Sequence, residues 1–111
     1  MTIIDRQVFD ALKETAGADF VVELVDAFFE EAPGMLEAMA SGLAAGDAEK
    51  FRRAAHSLKS NANTFGATEL AAVAKDLELS GLASVAARPE PLAAVNTEYA
   101  RAAAALKEMC R

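Results

Sequence analysis

The chain has 111 residues, a formal net charge of −6 and a hydrophobic fraction of 53%, much of it alanine. The length indicates one domain, residues 1–111, and the alanine-rich composition with few aromatic residues favours an all-α soluble fold. The acidic charge argues against nucleic acid and membrane surfaces as partners, and no apolar run reaches the ~18 residues needed to span a bilayer.

The N-terminus and the cysteine content predict a cytoplasmic protein. The first ten residues, MTIIDRQVFD, contain an acid at Asp5 and no apolar region of the kind found in signal peptides. Cys110 is the single cysteine of the sequence, so no intramolecular disulfide can form. Met1 and the lack of linker sequence favour a stand-alone protein.

Helix signals begin at Asp5, which is predicted to cap a short first helix over residues 5–15 that ends at Gly17. A long second helix is predicted over residues 19–45, because apolar residues recur there at steps of three and four. Pro33 interrupts this helix, and because the apolar stripe resumes in phase we expect a kink and not two helices. The residues of the stripe are Val21, Leu24, Val25, Phe28, Leu36, Met39 and Leu43.

Gly46 is predicted to end the second helix, and Asp47 is predicted to cap the N-terminus of the third. The third helix is predicted to end near Thr64. Gly66 follows at a position that suits the left-handed turn that commonly ends a helix.

A fourth helix is predicted over residues 68–82. The RPEP segment, residues 88–91, is predicted to form a loop and the start of the last helix, whose apolar residues run from Leu92 to Met109. Four long helices with short connections predict an antiparallel, up-down-up-down four-helix bundle, with the short first helix as an addition at one end.

The single histidine, His56, lies in the middle of the third helix. It lies about 150° from the centre of that helix's apolar face, so we expect the imidazole to be exposed to solvent. The apolar face comprises Phe51, Ala54, Ala55, Leu58, Ala62 and Phe65. The residues on the side of His56 are Arg52, Lys59, Ser60 and Asn63.

Several roles for His56 compete. A lone histidine on an exposed helix face is most often an ordinary surface residue. A structural zinc site needs about four ligands, and the sequence offers no second histidine and only the remote Cys110, so no metal is expected. A Cys110 nucleophile in the last turn would lack an orienting partner. The glycine-rich phosphate-binding motifs GxxxxGK(S/T) and GxGxxG are absent from the sequence.

The remaining chemistry needs one imidazole as a nucleophile. A neutral histidine is a good nucleophile near pH 7, and nearby cations attract a phosphoryl group and stabilise it once it is attached. Arg52, Arg53 and Lys59 place three cations within about one turn of His56 in an acidic chain. Lys59 is the best placed of them, because a long basic side chain one turn on can reach a phosphoryl oxygen.

Residues 54–78, AAHSLKSNANTFGATELAAVAKDLE, resemble the signature of histidine-containing phosphotransfer domains. Residues 24–56, LVDAFFEEAPGMLEAMASGLAAGDAEKFRRAAH, resemble the preceding long helix of that family. The resemblance covers nearly the whole chain. The residues that match the signature are His56, Leu58, Lys59, Ser60, Gly66, Leu70, Leu77 and Glu78.

The resemblance implies a phosphorelay intermediate that has no kinase activity of its own. Such a domain accepts a phosphoryl group from an aspartate of one receiver domain and passes it to an aspartate of another. The receiver supplies Mg²⁺, so no cofactor is expected on this chain. By resemblance, His56 is phosphorylated, Lys59 binds or neutralises the phosphoryl group, and Glu78 orients the imidazole or is merely a surface acid. Ser60 stands where the family most often has glycine, which affects how closely a receiver approaches.

Receiver docking is expected on the histidine face, with Arg53, and on exposed apolar residues of the first two helices. Ile3, Ile4 and Phe20 are the apolar candidates, and a core role for each is equally compatible with the sequence. The expected partners are receiver domains and a hybrid sensor kinase, and the chain is expected to be a monomer. The alternative function is a non-catalytic helical module that docks on a receiver or sensor kinase without carrying phosphate.

Overall fold

Six helices make up the computed structural model, which describes residues 3–87 and 90–110. Four of them are long enough to form a bundle: α2 (Ala18–Ala45), α3 (Ala48–Phe65), α4 (Thr68–Ser80) and α6 (Glu90–Met109). α2 packs on α3, α3 packs on α4, and α4 packs on α6. Because α6 also packs on α2, the four helices form a closed bundle. The predicted bundle is therefore confirmed. The two short helices are α1 (Arg6–Ala16) and α5 (Leu82–Ala87).

The helix ends follow the caps expected from the sequence. The Asp5 carboxylate accepts hydrogen bonds from the backbone N–H groups of Gln7 and Val8, and the Asp47 carboxylate accepts one from Lys50. These bonds satisfy backbone donors that the first turn of a helix leaves unpaired. α1 spans residues 6–16, one residue later at each end than the predicted helix, and α2 continues through Pro33 as a single helix.

The region after α4 differs from the expectation. The predicted fourth helix extended to residue 82, but α4 ends at Ser80 because Gly81 adopts a positive φ of 83° that interrupts the helix. The short helix α5 then forms and buries Val85. Sequence analysis missed α5, since six residues are too few to show a helical period. Of the RPEP segment, residues 90 and 91 open α6, and residues 88 and 89 lie outside the described part of the chain.

The core is apolar throughout, because no polar or charged residue is buried in the described ranges. Phe28 of α2 joins three helices, with its ring centroid 5.4 Å from that of Phe65 in α3 and 5.7 Å from that of Tyr99 in α6. Such offset or edge-on ring contacts add to the free energy gained by burying aromatic surface. Ile4 is also buried, with 3% of its surface exposed. The prediction of Ile4 as a docking residue is thus wrong, because its side chain packs in the core.

Close backbone contacts at both ends of α3 fix its position relative to α1 and α2. A Cβ atom added at Gly42 of α2 would lie 3.0 Å from the backbone nitrogen of Phe51, so α2 and α3 pack tightly there. At the other end of α3, Gly66 adopts a left-handed φ of 78° and its carbonyl accepts a hydrogen bond of 2.8 Å from the backbone N–H of Asp5. The start of α1 is therefore attached to the turn between α3 and α4.

None of the helices in residues 3–87 and 90–110 combines the length and the apolar character that crossing a membrane requires.

Gly66→Ala is expected to lower the free energy of unfolding by at least ~1–2 kcal/mol, since a left-handed backbone is unfavourable for a residue with a Cβ atom. The added atom would also lie 2.8 Å from the carbonyl oxygen of Asp5. Urea unfolding measures the change. Gly34→Ala is the matched control, because Gly34 lies inside α2 with open space around it, and alanine there is expected to stabilise the helix by roughly 0.5–1 kcal/mol. Equal effects of the two substitutions would contradict the assignment of strain to Gly66.

Candidate functional site

His56 projects from the exposed side of α3, as its spacing predicted. All six residues of the predicted apolar face are buried, whereas 54% of the His56 side chain is exposed. Because α3 is packed along its whole core face, the imidazole is held at the surface midway along the bundle. A second protein can therefore reach the ring without any part of the core opening.

A carboxylate from the neighbouring helix connects His56 with Lys59. Nδ1 of His56 lies 2.8 Å from Oε2 of Glu78, and Nζ of Lys59 lies 2.7 Å from Oε1 of the same carboxylate. Glu78 belongs to α4, whereas His56 and Lys59 belong to α3, so the antiparallel packing of the two helices brings the three groups together. Glu78 thus contacts both side chains and is no free surface acid.

The Glu78 carboxylate is largely removed from solvent, with 12% of its side chain exposed. The hydrogen bond from Lys59 lowers the pKa of Glu78, and the hydrogen bond from His56 adds to this, while burial acts in the opposite direction. The net shift is downward, so the carboxylate is ionised at neutral pH. An ionised carboxylate only accepts hydrogen bonds, which means that Nδ1 of His56 carries the proton and donates it. In the neutral form of the imidazole, this arrangement leaves the lone pair on Nε2.

The arginines before His56 are engaged elsewhere. Nη2 of Arg52 lies 2.6 Å from Oε1 of Glu49, and Nε of Arg53 lies 3.2 Å from the same oxygen. The hydrogen bond from Arg52 is the main reason why the pKa of Glu49 is lowered. The sequence argument that three cations surround the histidine needs correction, because Glu49 and Glu78 pair with all three of them.

Sequence analysis missed the role of Glu49, although its signal was available. Glu49 precedes Arg52 by three residues and Arg53 by four, the spacings at which oppositely charged side chains meet on a helix.

The other predicted residues of α3 lie on the exposed side of the helix beyond His56. Ser60 and Asn63 are exposed on α3 after His56. Asn63 lines a cleft of about 290 Å³ between α3 and α4 together with Lys59 and Lys75. Lys75 was not predicted, since it lies on α4 and the sequence analysis considered the neighbours of His56 along α3 only.

The predicted docking residues are dispersed. Arg53 and Phe20 are exposed, with 74% of the Arg53 side chain and 50% of Phe20 accessible, whereas Ile3 is half-buried and packs against the core.

The comparisons with known proteins agree with this geometry. The family model for the Hpt domain matches residues 23–108. A search of solved structures finds the crystal structure of histidine-containing phosphotransfer protein B (HptB) from Pseudomonas aeruginosa PAO1, with a TM-score of 0.86 and 28% sequence identity. The match covers 97% of this chain and 94% of that one. A sequence search of curated proteins gives no match.

The matched residues contain the whole site, from Glu49 through His56 and Lys59 to Glu78. Hpt domains work with the receiver domains of response regulators in phosphorelays. The chain belongs to the Hpt family, and its role is that of a phosphotransfer intermediate in a phosphorelay.

Proposed function

We propose that Nε2 of His56 is the atom that carries the phosphoryl group. The observation that supports this assignment is the 2.8 Å hydrogen bond between Nδ1 and the Glu78 carboxylate. Because that bond keeps the proton on Nδ1, Nε2 retains the lone pair that a nucleophile needs. The exposure of more than half of the imidazole side chain allows an incoming receiver to present its aspartyl phosphate to this atom.

The proposed step is an in-line displacement at phosphorus. Nε2 of His56 forms the new N–P bond, the P–O bond to the receiver aspartate breaks, and the aspartate leaves as a carboxylate. The imidazole ring gains positive charge in this step while its proton stays on Nδ1. The Glu78 carboxylate faces that proton and stabilises the charge as it develops. Transfer to a second receiver aspartate runs the same step in reverse.

Lys59 is assigned to the phosphoryl group itself. Its Nζ atom is held 2.7 Å from Glu78, one helical turn after His56, so an ammonium group is already close to the place where the phosphoryl oxygens arrive. The dianionic group on Nε2 then competes with Glu78 for that ammonium. Ser60 and Asn63 complete the exposed surface around the ring, and Arg52, paired with Glu49, supports the preceding turn.

The proposed partners are two receiver domains, one of them attached to a hybrid sensor kinase. Mg²⁺ is assigned to the receiver, since the carboxylates of Glu49 and Glu78 on this chain are both engaged by cations. The chain is proposed to act as a monomer in the cytoplasm, with Arg53 and Phe20 among its receiver contacts. A docking module that carries no phosphate would not need an imidazole whose tautomer is fixed by a carboxylate, so the alternative function is not favoured.

His56→Gln is expected to abolish phosphate uptake, because the amide side chain offers no nucleophilic nitrogen. The wild-type chain and the variant are mixed with a panel of phosphorylated receiver domains, and acid-labile, base-stable phosphate on the chain is measured. Unaltered helicity by circular dichroism serves as the folding control, as more than half of the His56 side chain is exposed. Equal labelling of the two chains would contradict the assignment.

Lys59→Ala is expected to slow phosphoryl transfer roughly tenfold, less than the ~10²–10³-fold loss found when a donor is removed from a site closed to water, because Lys59 is partly exposed and already paired with Glu78. Rapid-quench measurements of transfer from a phosphorylated receiver determine the rate. Lys107→Ala is the control, because Lys107 lies on α6 with its ammonium 5.7 Å from the Phe29 ring. If the rate constants of the two variants agreed, Lys59 would have no part in binding the phosphoryl group.

Acidification is expected to destabilise the wild-type chain more than Glu78→Gln. The pKa of Glu78 is lowered by Lys59 and His56 in the folded state, so the stability that this carboxylate contributes is present above its unfolded pKa, near 4.5. That stability is lost as the pH falls through the lower, folded pKa. Urea unfolding of both chains at pH 7, 5 and 3.5 measures the difference. If the free energy of unfolding fell equally with pH in the two chains, the ion pairs of Glu78 would not stabilise the fold.

A further inference from the structure

Lys75 is a cation beside Lys59 that forms no ion pair with any carboxylate in the described part of the chain. Arg52 and Arg53 pair with Glu49, and Lys59 pairs with Glu78. Lys75 is exposed, lines the same cleft as Lys59, and has no ion-pair partner within residues 3–87 and 90–110. In a chain with a net charge of −6, Lys75 therefore adds a positive charge to the cleft that Lys59 lines.

Leu79 lies one helical turn after Lys75 on α4 and is the most exposed of the large hydrophobic residues in the described ranges, at 73%. It directly follows Glu78, whose carboxylate contacts the imidazole of His56. A single exposed leucine is common on protein surfaces and carries little meaning alone. Here it shares one edge of α4 with Lys75, which has no ion-pair partner among the described residues, and that edge borders the site.

We propose that Lys75 and Leu79 form a receiver-contacting edge on α4, which helps to align a receiver with His56. This proposal rests on the proposed function, since it names the surface by which a receiver aligns with the same site. A receiver that holds Mg²⁺ next to its phosphorylated aspartate must present carboxylates around that metal. Such an acidic rim is repelled by the overall charge of this chain, and Lys75 offers a local charge of the opposite sign. Leu79 supplies the apolar contact next to it, which excludes water from the rim of the interface.

Lys75 and Leu79 are expected to affect different steps of receiver binding. An exposed lysine acts on the rate of encounter with an oppositely charged partner, and this effect weakens as salt increases. An apolar side chain acts mainly on the lifetime of the complex, because water must return to its surface on dissociation. Neither side chain is required for the N–P bond to form once the receiver is seated.

The experiment measures phosphoryl transfer from an isolated receiver domain, phosphorylated with acetyl phosphate in the presence of Mg²⁺. The receiver used is the one that labels the wild-type chain fastest in the panel. Lys75→Gln is expected to reduce kcat/KM about two- to fivefold, the effect of one exposed charge, and to flatten its dependence on salt. Leu79→Ala is expected to reduce kcat/KM about three- to tenfold, as for a partly buried apolar contact. The first-order rate constant at saturating receiver should change less than twofold in both variants.

Each substitution has a matched control. Lys107→Gln removes a lysine on α6, away from α4. Leu79→Met keeps an apolar side chain of similar size at the same position and is expected to keep the wild-type kcat/KM. Lys75→Arg is expected to keep the wild-type salt dependence, since the charge is preserved. The proposal is overturned if either α4 variant behaves like its control, or if the first-order rate falls instead of kcat/KM.

Self-association through Leu79 is the remaining outcome. Sedimentation of the wild-type chain and of Leu79→Ala tests this outcome. If the wild-type chain were a dimer, and Leu79→Ala were a monomer with an unchanged rate of phosphoryl transfer, the edge would bind a second copy of the chain. The proposal would then fail. Failure of the proposed function is distinguishable from all these results, since it shows as a wild-type chain that takes up no phosphate or as a His56→Gln variant that does.

Discussion

One carboxylate, that of Glu78, determines how the site is arranged. It accepts hydrogen bonds from His56 and Lys59 on the neighbouring helix while only 12% of its side chain is exposed. A carboxylate so far removed from water is unfavourable unless charged or polar donors replace the lost hydration. The lysine ammonium replaces part of it and keeps the carboxylate ionised. The ionised form in turn fixes the proton of His56 on Nδ1, so the electrostatics of a helix–helix contact determine which ring nitrogen is free to react.

That contact depends on the register between α3 and α4, which the fold fixes at one end. The turn that joins the two helices contains Gly66 in a left-handed conformation, with its carbonyl bonded to the backbone of Asp5. Because the helices run antiparallel from this turn, a residue on α3 has a defined opposite residue on α4. A change of one residue in the length of the turn would move Glu78 by ~100° around its helix and away from His56.

The bundle and the position of His56 could be predicted from the sequence, because both depend on periodicity within single helices. The apolar face of α3 from Phe51 to Phe65 leaves little choice for the direction of the imidazole. The pairing of Arg52 and Arg53 with Glu49 followed equally simple spacing but was overlooked. The contact between Glu78 and Lys59, and the proximity of Lys75, could not be derived in that way, since spacing along one helix does not show which residues face each other across two. The burial of Ile4 likewise follows from the docking of the N-terminal segment, a tertiary contact.

The paired charges around His56 suit an intermediate that must release what it binds. A group of unpaired cations would attract a phosphoryl dianion strongly, but the same attraction would hold it in place and raise the barrier to onward transfer. In this structure Glu78 offsets Lys59, and Glu49 is shared between two exposed arginines. The site is thus only weakly positive, and in the proposed mechanism the Lys59 ammonium reaches the phosphoryl oxygens only in competition with Glu78. Under the proposed function, such a balance keeps phosphorylated His56 from being much more stable than the aspartyl phosphate of a receiver, so that the phosphoryl group can pass on to a second receiver.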